Sequence, residues 1–378
     1  MKAVRAYFDN AATTKVAPEV LEAMITFMKD DYGNPGSMHW MGDSAAKAVR
    51  SARAAAAKAL NCLPSEVFFT SGGTESDNIA IIGSAKKKRI VTSAVEHSAV
   101  LETCEHMRSR GYGVTVLGVD GGGLVDPDDL RKAMDNDVSV VSVMTANNVI
   151  GTIQRIRELA DIAHEFGALF HTDAVQAFTK TDTDVKRLGA DMMSVSGHKI
   201  HGPKGIGALF VGSGAGIEPI MFGGGQERGL RPSTENVPGI VGLGKACEIA
   251  MRTMSADVKR MEKIRNRIMD GVLGIEGSAL NGSLERRLCS NAHFRFGGIR
   301  GSDLVLRLSK EGIAASTASA CSAGSTDPSH VMTAIGLSPA EALSSLRISL
   351  SRYTTDEEAG YLLDVLPKVV ADMRGGKK

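Results

Sequence analysis

The stretch IRELADIAHEFGALFHTDAVQ, residues 156–176, decides the fold. Its first half repeats apolar side chains at helical spacing, which predicts an amphipathic helix over 156–166. Its second half is short and apolar, which predicts a buried strand over 168–174. A helix followed at once by a buried strand is the repeating unit of an α/β sheet.

The same alternation runs through the first two thirds of the chain. Several strand candidates are apolar on both faces, as in a parallel sheet that helices cover on each side. A helix is predicted to start from an N-cap at Asp43. We therefore expect an α/β fold with a mainly parallel sheet of about seven strands, at 66–70, 89–94, 113–119, 138–145, 168–174, 191–196 and 207–212.

After about residue 250 the strict alternation ends. The segment 258–274 predicts a long connecting helix, followed by a smaller α/β domain. We expect residues 13–255 to form the large domain, and residues 1–12 and 256–378 to form the small one.

The charge, the cysteine count and the N-terminal sequence limit the classes of function that the chain can have. The net charge of +1 gives no electrostatic footprint for nucleic acid or an anionic membrane. Five cysteines, an odd number without CxxC spacing, suggest neither a disulfide framework nor a zinc finger. The start, MKAVRAYFDN, lacks the apolar core of a signal peptide. We expect a cytoplasmic protein with reduced thiols and no membrane partner.

Polar side chains follow five of the predicted strands, where open parallel sheets bind their ligands. The turn SGGTES after the first strand opens a helix and would suit a phosphate. The other four strand ends carry His97, the pair Asn147 and Asn148, the pair Asp173 and Gln176, and the run SGHKIHGPKG with Ser196, His198, Lys199, His201 and Lys204.

This set of residue types suits pyridoxal 5'-phosphate (PLP). That cofactor needs a Schiff-base lysine, a carboxylate beside its pyridine nitrogen and donors for its phosphate. The lysine must spend time as a free amine, so nearby cations or burial must lower its pKa. His198, His201 and Lys204 are candidates to supply that positive charge.

Two other interpretations use the same residues. A metalloenzyme would take His198, His201 and Asp173 as ligands, although HKIH lacks the helical HExxH spacing. A nucleotide-binding module would use SGGTES alone, which leaves the lysine and the aspartate without a role.

The chain resembles cysteine desulfurases of the NifS/IscS type, in the class V aminotransferase group of fold-type-I PLP enzymes. The resemblance runs nearly end to end and rests on motifs in the family's order. They are YFDNAATT, YGNPGSMH, FFTSGGTESDN, EHSAV, NNVIG, HTDAVQ, SVSGHKIHGPKGIGAL, GGGQERGLRPSTEN, SACSAG and LRISLSRYTT.

The resemblance implies a role for each matching residue. Lys199 would carry the cofactor, Asp173 would pair with its ring nitrogen, and His97 would stack on the ring and transfer protons. Cys321 would be the nucleophile that receives sulfur, and it could also ligate a transient Fe–S cluster; no resident metal is expected. The remaining implied contacts are Gln176 and Asn148 to the cofactor ring, Gly73, Thr74, Ser196 and His198 to the phosphate, Thr234 to the partner subunit's cofactor, and Asn34 and Arg347 to the substrate carboxylate.

The implied reaction converts L-cysteine to L-alanine and leaves a persulfide on Cys321. The implied partners are a second copy of the chain and a sulfur acceptor, either an Fe–S scaffold protein or a thiolation acceptor. Alternatives are a selenocysteine lyase, another class V lyase or aminotransferase, and a non-catalytic protein with this fold. The chain departs from the family pattern at Val149, where glutamate is usual, and at Pro232 and Ser233, which stand where serine and glycine are usual.

Overall fold

A computed structural model describes residues 5–317 and 328–375. Within these residues the strands are β1 (Ala6–Tyr7), β2 (Val67–Thr70), β3 (Arg89–Ser93), β4 (Gly113–Leu117), β5 (Val138–Ser142), β6 (Leu169–Asp173), β7 (Met192–Ser196), β8 (Gly207–Val211), β9 (Ser278–Leu280), β10 (Asn291–Phe296), β11 (Ile313–Ala314) and β12 (Ser345–Ser349).

The helices of the same residues alternate with these strands. They are α1 (Pro18–Lys29), α2 (Trp40–Leu60), α3 (Gly73–Gly83), α4 (Ser98–Ser109), α5 (Pro127–Ala133), α6 (Ile156–Glu165), α7 (Val185–Leu188), α8 (Val237–Leu273), α9 (Gly301–Lys310), α10 (His330–Ala334), α11 (Pro339–Leu343) and α12 (Asp356–Gly375). Short 3-10 turns lie at Pro64–Glu66, Gly197–Lys199 and Gln226–Gly229.

Seven strands form the central sheet in the order β2-β8-β7-β6-β5-β3-β4. Neighbours run parallel from β7 to β4, whereas β8 is antiparallel to both β2 and β7. Each of the seven predicted strands occurs within its predicted range, so the predicted α/β fold with a mainly parallel sheet is confirmed. The parallel strands end at one edge, which gathers the residues that follow them.

Helices cover both faces of the sheet because successive strand residues point to opposite sides. Ile90, Val140 and Met192 pack with α3 and α4. Val91, Val141 and Met193, one position further along each strand, pack on the other face with α5 and α6 or with α2 and α8. Burial on both faces accounts for the nearly continuous apolar strands in the sequence.

Helix α2 starts earlier than predicted. Its N-cap is His39, whose Nδ1 accepts a hydrogen bond from the N–H of Gly42 at 3.3 Å. Asp43 lies inside the first turn, so the predicted N-cap is wrong. An acidic side chain in that turn still favours the helix through its dipole.

Helix α8 has 37 residues and contains the predicted connecting helix over 258–274 except Gly274, which is its C-cap. Its first turns contain Gly239, Gly242 and Gly244, which are poor helix formers. A Cβ on Gly244 would lie 2.6 Å from the Cα of Ala52, so a glycine is required where α8 crosses α2. Close packing between helices therefore outweighs local propensity.

A second group of elements packs around the C-terminal half of α8. Strands β12, β10 and β9 form an antiparallel sheet, and β1 pairs with β11 in parallel. Their apolar side chains share one core with α9 and α12. The division of the chain into two domains at residues 12/13 and 255/256 stays a prediction. In the described residues every helix is too short or too polar to cross a membrane.

Candidate active site

A cavity of about 320 Å³ lies at the edge of the sheet where the parallel strands end. It brings together ten of the residues singled out in the sequence. They are Gly73, Thr74, His97, Asn148, Asp173, Gln176, Ser196, His198, Lys199 and Arg347. The convergence follows from topology, because strand ends that are distant in sequence become neighbours at one edge.

Gly73 and Thr74, at the start of α3, form with Ser196 a small concave site, called the cup below. Its shape depends on the close approach of backbone segments. Gly73 faces Val175, whose Cγ2 would be 2.7 Å from an added Cβ. Gly207 on β8 would place a Cβ 2.7 Å from the Cα of Gly72. Larger residues at either position would push the start of α3 away from Ser196, which ends β7. The two glycines therefore keep Gly73, Thr74 and Ser196 around one small space.

Lys199 ends the 3-10 turn that follows β7. Its Nζ donates hydrogen bonds to the carbonyl oxygens of Ala11 and Ala12, at 2.5 and 2.8 Å. Gln176 Nε2 also donates to the Ala11 carbonyl, at 2.9 Å. The N-terminal motif YFDNAATT therefore forms one wall of the cavity and holds the lysine amine inside it.

Two buried acids, Asp77 and Asp173, line the cavity, and a third buried acid, Glu96, lies behind the lining and interacts with both of them. Burial raises the pKa of Asp173. The hydrogen bond from the Val175 N–H and the electrostatic effect of His97 and Lys199 oppose this shift and lower the pKa. Burial and the charge of Asp173 raise the pKa of Asp77 well above its usual range. Burial also raises the pKa of Glu96 to about 8. A raised pKa favours the protonated, uncharged form of an acid, so a positive charge brought into the cavity would stabilise the ionised form of Asp173 or Asp77.

His171 does not offset these acids. Its Nε2 lies 3.6 Å from Asp77 Oδ1, and its ring bonds Ser142 and Ser194 at 2.8 and 3.0 Å. Burial lowers its pKa to about 3, so the imidazole is neutral at neutral pH. Asp77 Oδ1 and Glu96 Oε2 have no hydrogen-bond partner within residues 5–317 and 328–375. The cavity is therefore suited to a ligand that brings a positive charge.

His97 is both the N-cap of α4 and a wall of the cavity. Its Nδ1 accepts the N–H of Ala99 at 3.1 Å. In the neutral ring this geometry assigns the proton to Nε2. The cap thus fixes both the ring position and the tautomer.

Arg347 is nearly buried and reaches the cavity from β12. Its Nη2 lies 2.8 Å from Asp9 Oδ1, and its Nη1 donates to the Asn148 carbonyl at 2.9 Å. Its Nε has no hydrogen-bond partner in the described chain. A guanidinium held in this way can still receive a carboxylate.

The expected role of the nearby histidines as cations is wrong. Burial, together with Lys199, Lys204 and Lys180, lowers the pKa of His198 to about 4. Burial lowers the pKa of His201 to about 4 as well. Both rings are neutral at neutral pH and supply no positive charge to Lys199.

His201 also points away from the cavity. Its Nδ1 contacts the Lys15 carbonyl at 2.8 Å, and its ring packs edge-on against Tyr353. This arrangement does not support the metalloenzyme interpretation. Among the described residues, no three His, Cys, Asp or Glu side chains form a metal-binding group. The nucleotide-binding interpretation is not supported either, because Gly73 and Thr74 share their cavity with Lys199 and Asp173.

Three predicted residues do not line this cavity. Thr234 is exposed. Asn34 is exposed, and its Oδ1 accepts the Gly36 N–H at 2.9 Å, so its predicted place beside Arg347 does not follow from one chain. Cys321 lies outside the described residues.

The departures from the family pattern lie in different surroundings. Val149 is buried in an apolar cluster with Val95, Ile150, Val331 and Met332, so a carboxylate at this position would be surrounded by aliphatic side chains. Ser233 has a positive φ of 134°, and its N–H bonds Gln226 Oε1 at 3.2 Å.

Sequence reasoning missed Asp9, Asp77 and Glu96. Asp77 follows Gly73 by four residues, so helical spacing alone places it on the same face as the cup at the start of α3. Asp9 and Glu96 stand inside quoted motifs, YFDNAATT and EHSAV, but their neighbours come from distant parts of the chain.

The fold and the cavity define the class of protein: the fold is that of the fold-type-I PLP enzymes. The aminotransferase class-V profile matches residues 6–362. The chain is 47% identical to the cysteine desulfurase IscS of Methanosarcina thermophila over 373 residues, covering 97% of this chain and 92% of that protein. It is 46% identical to the cysteine desulfurase IscS of Clostridium botulinum over 376 residues, covering 97% and 95%.

A solved NifS-like protein superposes with a TM-score of 0.92 at 40% identity, covering 97% of this chain and all of that one. The chain belongs to the aminotransferase class-V family. Its resemblance to cysteine desulfurases, read from the motifs, is confirmed.

Proposed function

We propose that this protein is a PLP-dependent cysteine desulfurase that converts L-cysteine to L-alanine and moves the sulfur through Cys321. The observation that carries the proposal is the single cavity that unites Lys199, Asp173, His97 and Arg347. An amine, a buried acid, an oriented imidazole and a carboxylate-binding arginine are the groups this chemistry needs. The names of the relatives support the same reaction.

The cavity fits PLP. A cationic pyridine nitrogen would favour the ionised form of Asp173, whose pKa burial raises, and would suit Asp77, whose Oδ1 has no hydrogen-bond partner among the described residues. The glycine cup with Thr74, Ser196 and His198 would hold the phosphate, and Asn148 and Gln176 would contact the ring. When bound, the cofactor supplies an electron sink for the bonds around the substrate Cα.

The chain's own groups then have separate tasks. Lys199 would hold the cofactor and, once released by the substrate amine, would accept the Cα proton as a base. Asp173 would keep the ring nitrogen protonated. His97 would donate a hydrogen bond from Nε2 to the incoming sulfur, which favours the thiolate over the thiol. Arg347 would orient the substrate through its carboxylate.

Cys321 would complete the reaction. Its thiolate would form a bond to the substrate sulfur while the substrate C–S bond breaks. The carbon fragment would keep the electron pair, gain a proton and leave as L-alanine. Cys321 would keep the second sulfur as a persulfide, so a thiol and cysteine give a persulfide and alanine without an added oxidant.

The two ends of the segment that contains Cys321 support this role. Before it, the backbone of Ser316 is hydrogen-bonded to that of Arg347, at 2.6 and 3.3 Å. After it, His330 Nε2 contacts the Glu96 carbonyl at 2.9 Å, next to His97. The segment therefore starts at one wall of the cavity and ends at another.

We also propose a homodimer with shared sites. Leu21, Ile25 and Met28 follow helical spacing on α1 and are exposed, and Trp40 is 75% exposed. Exposed large apolar side chains that share one helix face are typical of protein–protein interfaces. Thr234, which does not line the cavity of its own chain, would then serve the partner's cofactor, and Asn34 would serve a site formed by both chains.

The sulfur acceptor would be an Fe–S scaffold protein or a thiolation acceptor. The enzyme would work in the cytoplasm, where its thiols stay reduced. Residues 13–255 would form the cofactor-binding domain, and residues 1–12 with 256–378 would form the domain that carries Cys321. Direct contact with nucleic acid is not expected.

Product analysis tests the function. Purified protein loaded with PLP and given L-cysteine with a reductant should release L-alanine and sulfide in equal amounts. Pyruvate, or transfer of the amino group to a keto acid, would contradict the proposal. Turnover of selenocysteine alone would favour the lyase alternative.

A further inference from the structure

We propose that Asp9 sets the affinity of Arg347 for substrate, as an internal carboxylate that competes with the substrate carboxylate for this arginine. The inference rests on the proposed role of Arg347 as the substrate's carboxylate-binding residue. Asp9 does not line the cavity, and it would lower the affinity of Arg347 for the substrate carboxylate from behind the arginine.

The position of Asp9 is fixed by the backbone on both sides. The Phe8 N–H bonds the Ala314 carbonyl at 2.7 Å, and the Ser349 N–H bonds the Phe8 carbonyl at 2.7 Å. Asp9 itself forms a parallel bridge with Ser349, two residues after Arg347. The N-terminal segment is thus locked beside β12, and the carboxylate has little freedom to leave the arginine.

The guanidinium of Arg347 is only partly satisfied. Asp9 takes Nη2 and the Asn148 carbonyl takes Nη1, while Nε lacks a hydrogen-bond partner among the described residues. The Arg347 side chain is 4% exposed and that of Asp9 is 22% exposed. A nearly buried N–H without a partner is costly, so the site is arranged for one more acceptor.

The pairing with Asp9 offsets the charge that a substrate carboxylate would otherwise meet. A simple anion then gains little from Arg347, because it competes with a carboxylate already present. An amino acid gains more, because its amino group is also bound in the same cavity. Asp9 therefore weakens the binding of every carboxylate at Arg347, so that a ligand without a second attachment is held weakly and the product is released fast.

Binding of propionate tests this inference. Propionate carries the carboxylate of alanine without its amino group, so it reports on Arg347 alone. Isothermal titration of the PLP-loaded enzyme should give a Kd that is about three- to tenfold lower in Asp9→Asn than in the wild type. Asn keeps an acceptor for Nη2 and removes only the charge. Asp9→Ala should shift the Kd in the same direction.

The matched control is Asp257→Asn, which removes the charge from another partly exposed pair, 3.0 Å from Arg352 and outside this cavity. It should leave the Kd for propionate unchanged. Unchanged or weaker binding in both Asp9 variants would overturn the inference. Arg347→Ala separates the two proposals: if it leaves propionate binding intact, the assignment of Arg347 fails, whatever Asp9 does.

Discussion

His330 Nε2 lies 2.9 Å from the carbonyl oxygen of Glu96, which places the start of α10 one residue from His97. The contact joins the end of the Cys321 segment to the proposed proton-transfer residue. Val331 and Met332 secure it by packing against Val95 and Val149. Val149, where the family pattern has glutamate, therefore contributes to the apolar cluster that holds the start of α10.

Removing this contact should slow sulfur transfer. We expect His330→Ala to lower the rate of alanine formation about tenfold, because a small displacement of a reacting group is costly. PLP content and its visible absorbance should stay unchanged. His106→Ala, on the exposed face of α4, is the control and should react at the wild-type rate. Equal rates in all three proteins would show that the contact does not position the segment.

Glu96 should make stability fall with rising pH. Burial raises its pKa to about 8 in the folded protein, against about 4.3 in an unfolded chain. Between these values the folded protein holds a proton that the unfolded chain lacks. The free energy of unfolding should therefore fall by up to about 1.4 kcal/mol per pH unit from this group.

Glu96→Gln removes that titration while keeping an acceptor for Ser93 and the Met144 N–H. Urea unfolding of apoenzyme between about pH 5 and 8 should then show a stability that falls less with pH than in the wild type. Parallel pH profiles would contradict the raised pKa.

The buried histidines should act in the opposite direction. Burial lowers the pKa of His171 and of His293 to about 3, whereas an unfolded histidine titrates at about 6.5. Below that pH these histidines are protonated in the unfolded chain but stay neutral in the folded protein. Stability from these groups should be complete above about pH 6.5 and lost as the pH falls toward 3. A His293→Asn variant with the same acid-induced loss as the wild type would count against this.

The loop that carries Thr234 should depend on one buried ion pair. Arg53 contacts both carboxylate oxygens of Glu227, at 2.6 and 2.7 Å, and the Phe69 N–H donates to the same carboxylate at 2.9 Å. Glu227 adopts a left-handed conformation, so this contact also holds a strained turn.

We expect Glu227→Ala to lower the free energy of unfolding by about 3 kcal/mol, because it leaves a largely buried arginine without its partner. Urea unfolding at one protein concentration measures this. Glu105→Ala breaks an exposed pair with Arg108 and should have no measurable effect. Equal losses in the two variants would contradict a special role for the buried pair.

The exposed apolar face of α1 should mediate self-association. Met28→Asp places a charge in this face and should shift the protein from dimer to monomer in sedimentation velocity. Leu284→Asp, at another exposed leucine, should leave the dimer intact. A monomeric wild type, or a Met28→Asp protein that stays dimeric, would contradict the proposed interface.

The sheet could be predicted because its strands are short apolar runs bounded by glycine and polar turns. Val138–Ser142 and Met192–Ser196 are buried along their whole length, so their sequences carry a clear signal. The strand-end positions of Asp173 and Lys199 then follow from topology. Sequence alone located most of the cavity for this reason.

Other features depend on contacts between distant residues. The start of α8 was not predicted, because Gly244 is explained only by its contact with Ala52. The pairing of Asp9 with Arg347 spans 338 positions and leaves no local pattern. The neutral state of His198 and His201 likewise depends on burial, which the turn sequence does not reveal.

The most direct measurement is mass spectrometry of the PLP-loaded enzyme after incubation with L-cysteine without reductant. We expect the peptide that contains Cys321 to gain about 32 Da, the mass of one sulfur atom. The gain should be absent from Lys199→Ala, and Cys321→Ala should keep its bound cofactor but show no adduct. Alanine formation at the wild-type rate without an adduct on Cys321, or with the sulfur on Cys289 instead, would contradict the proposed mechanism.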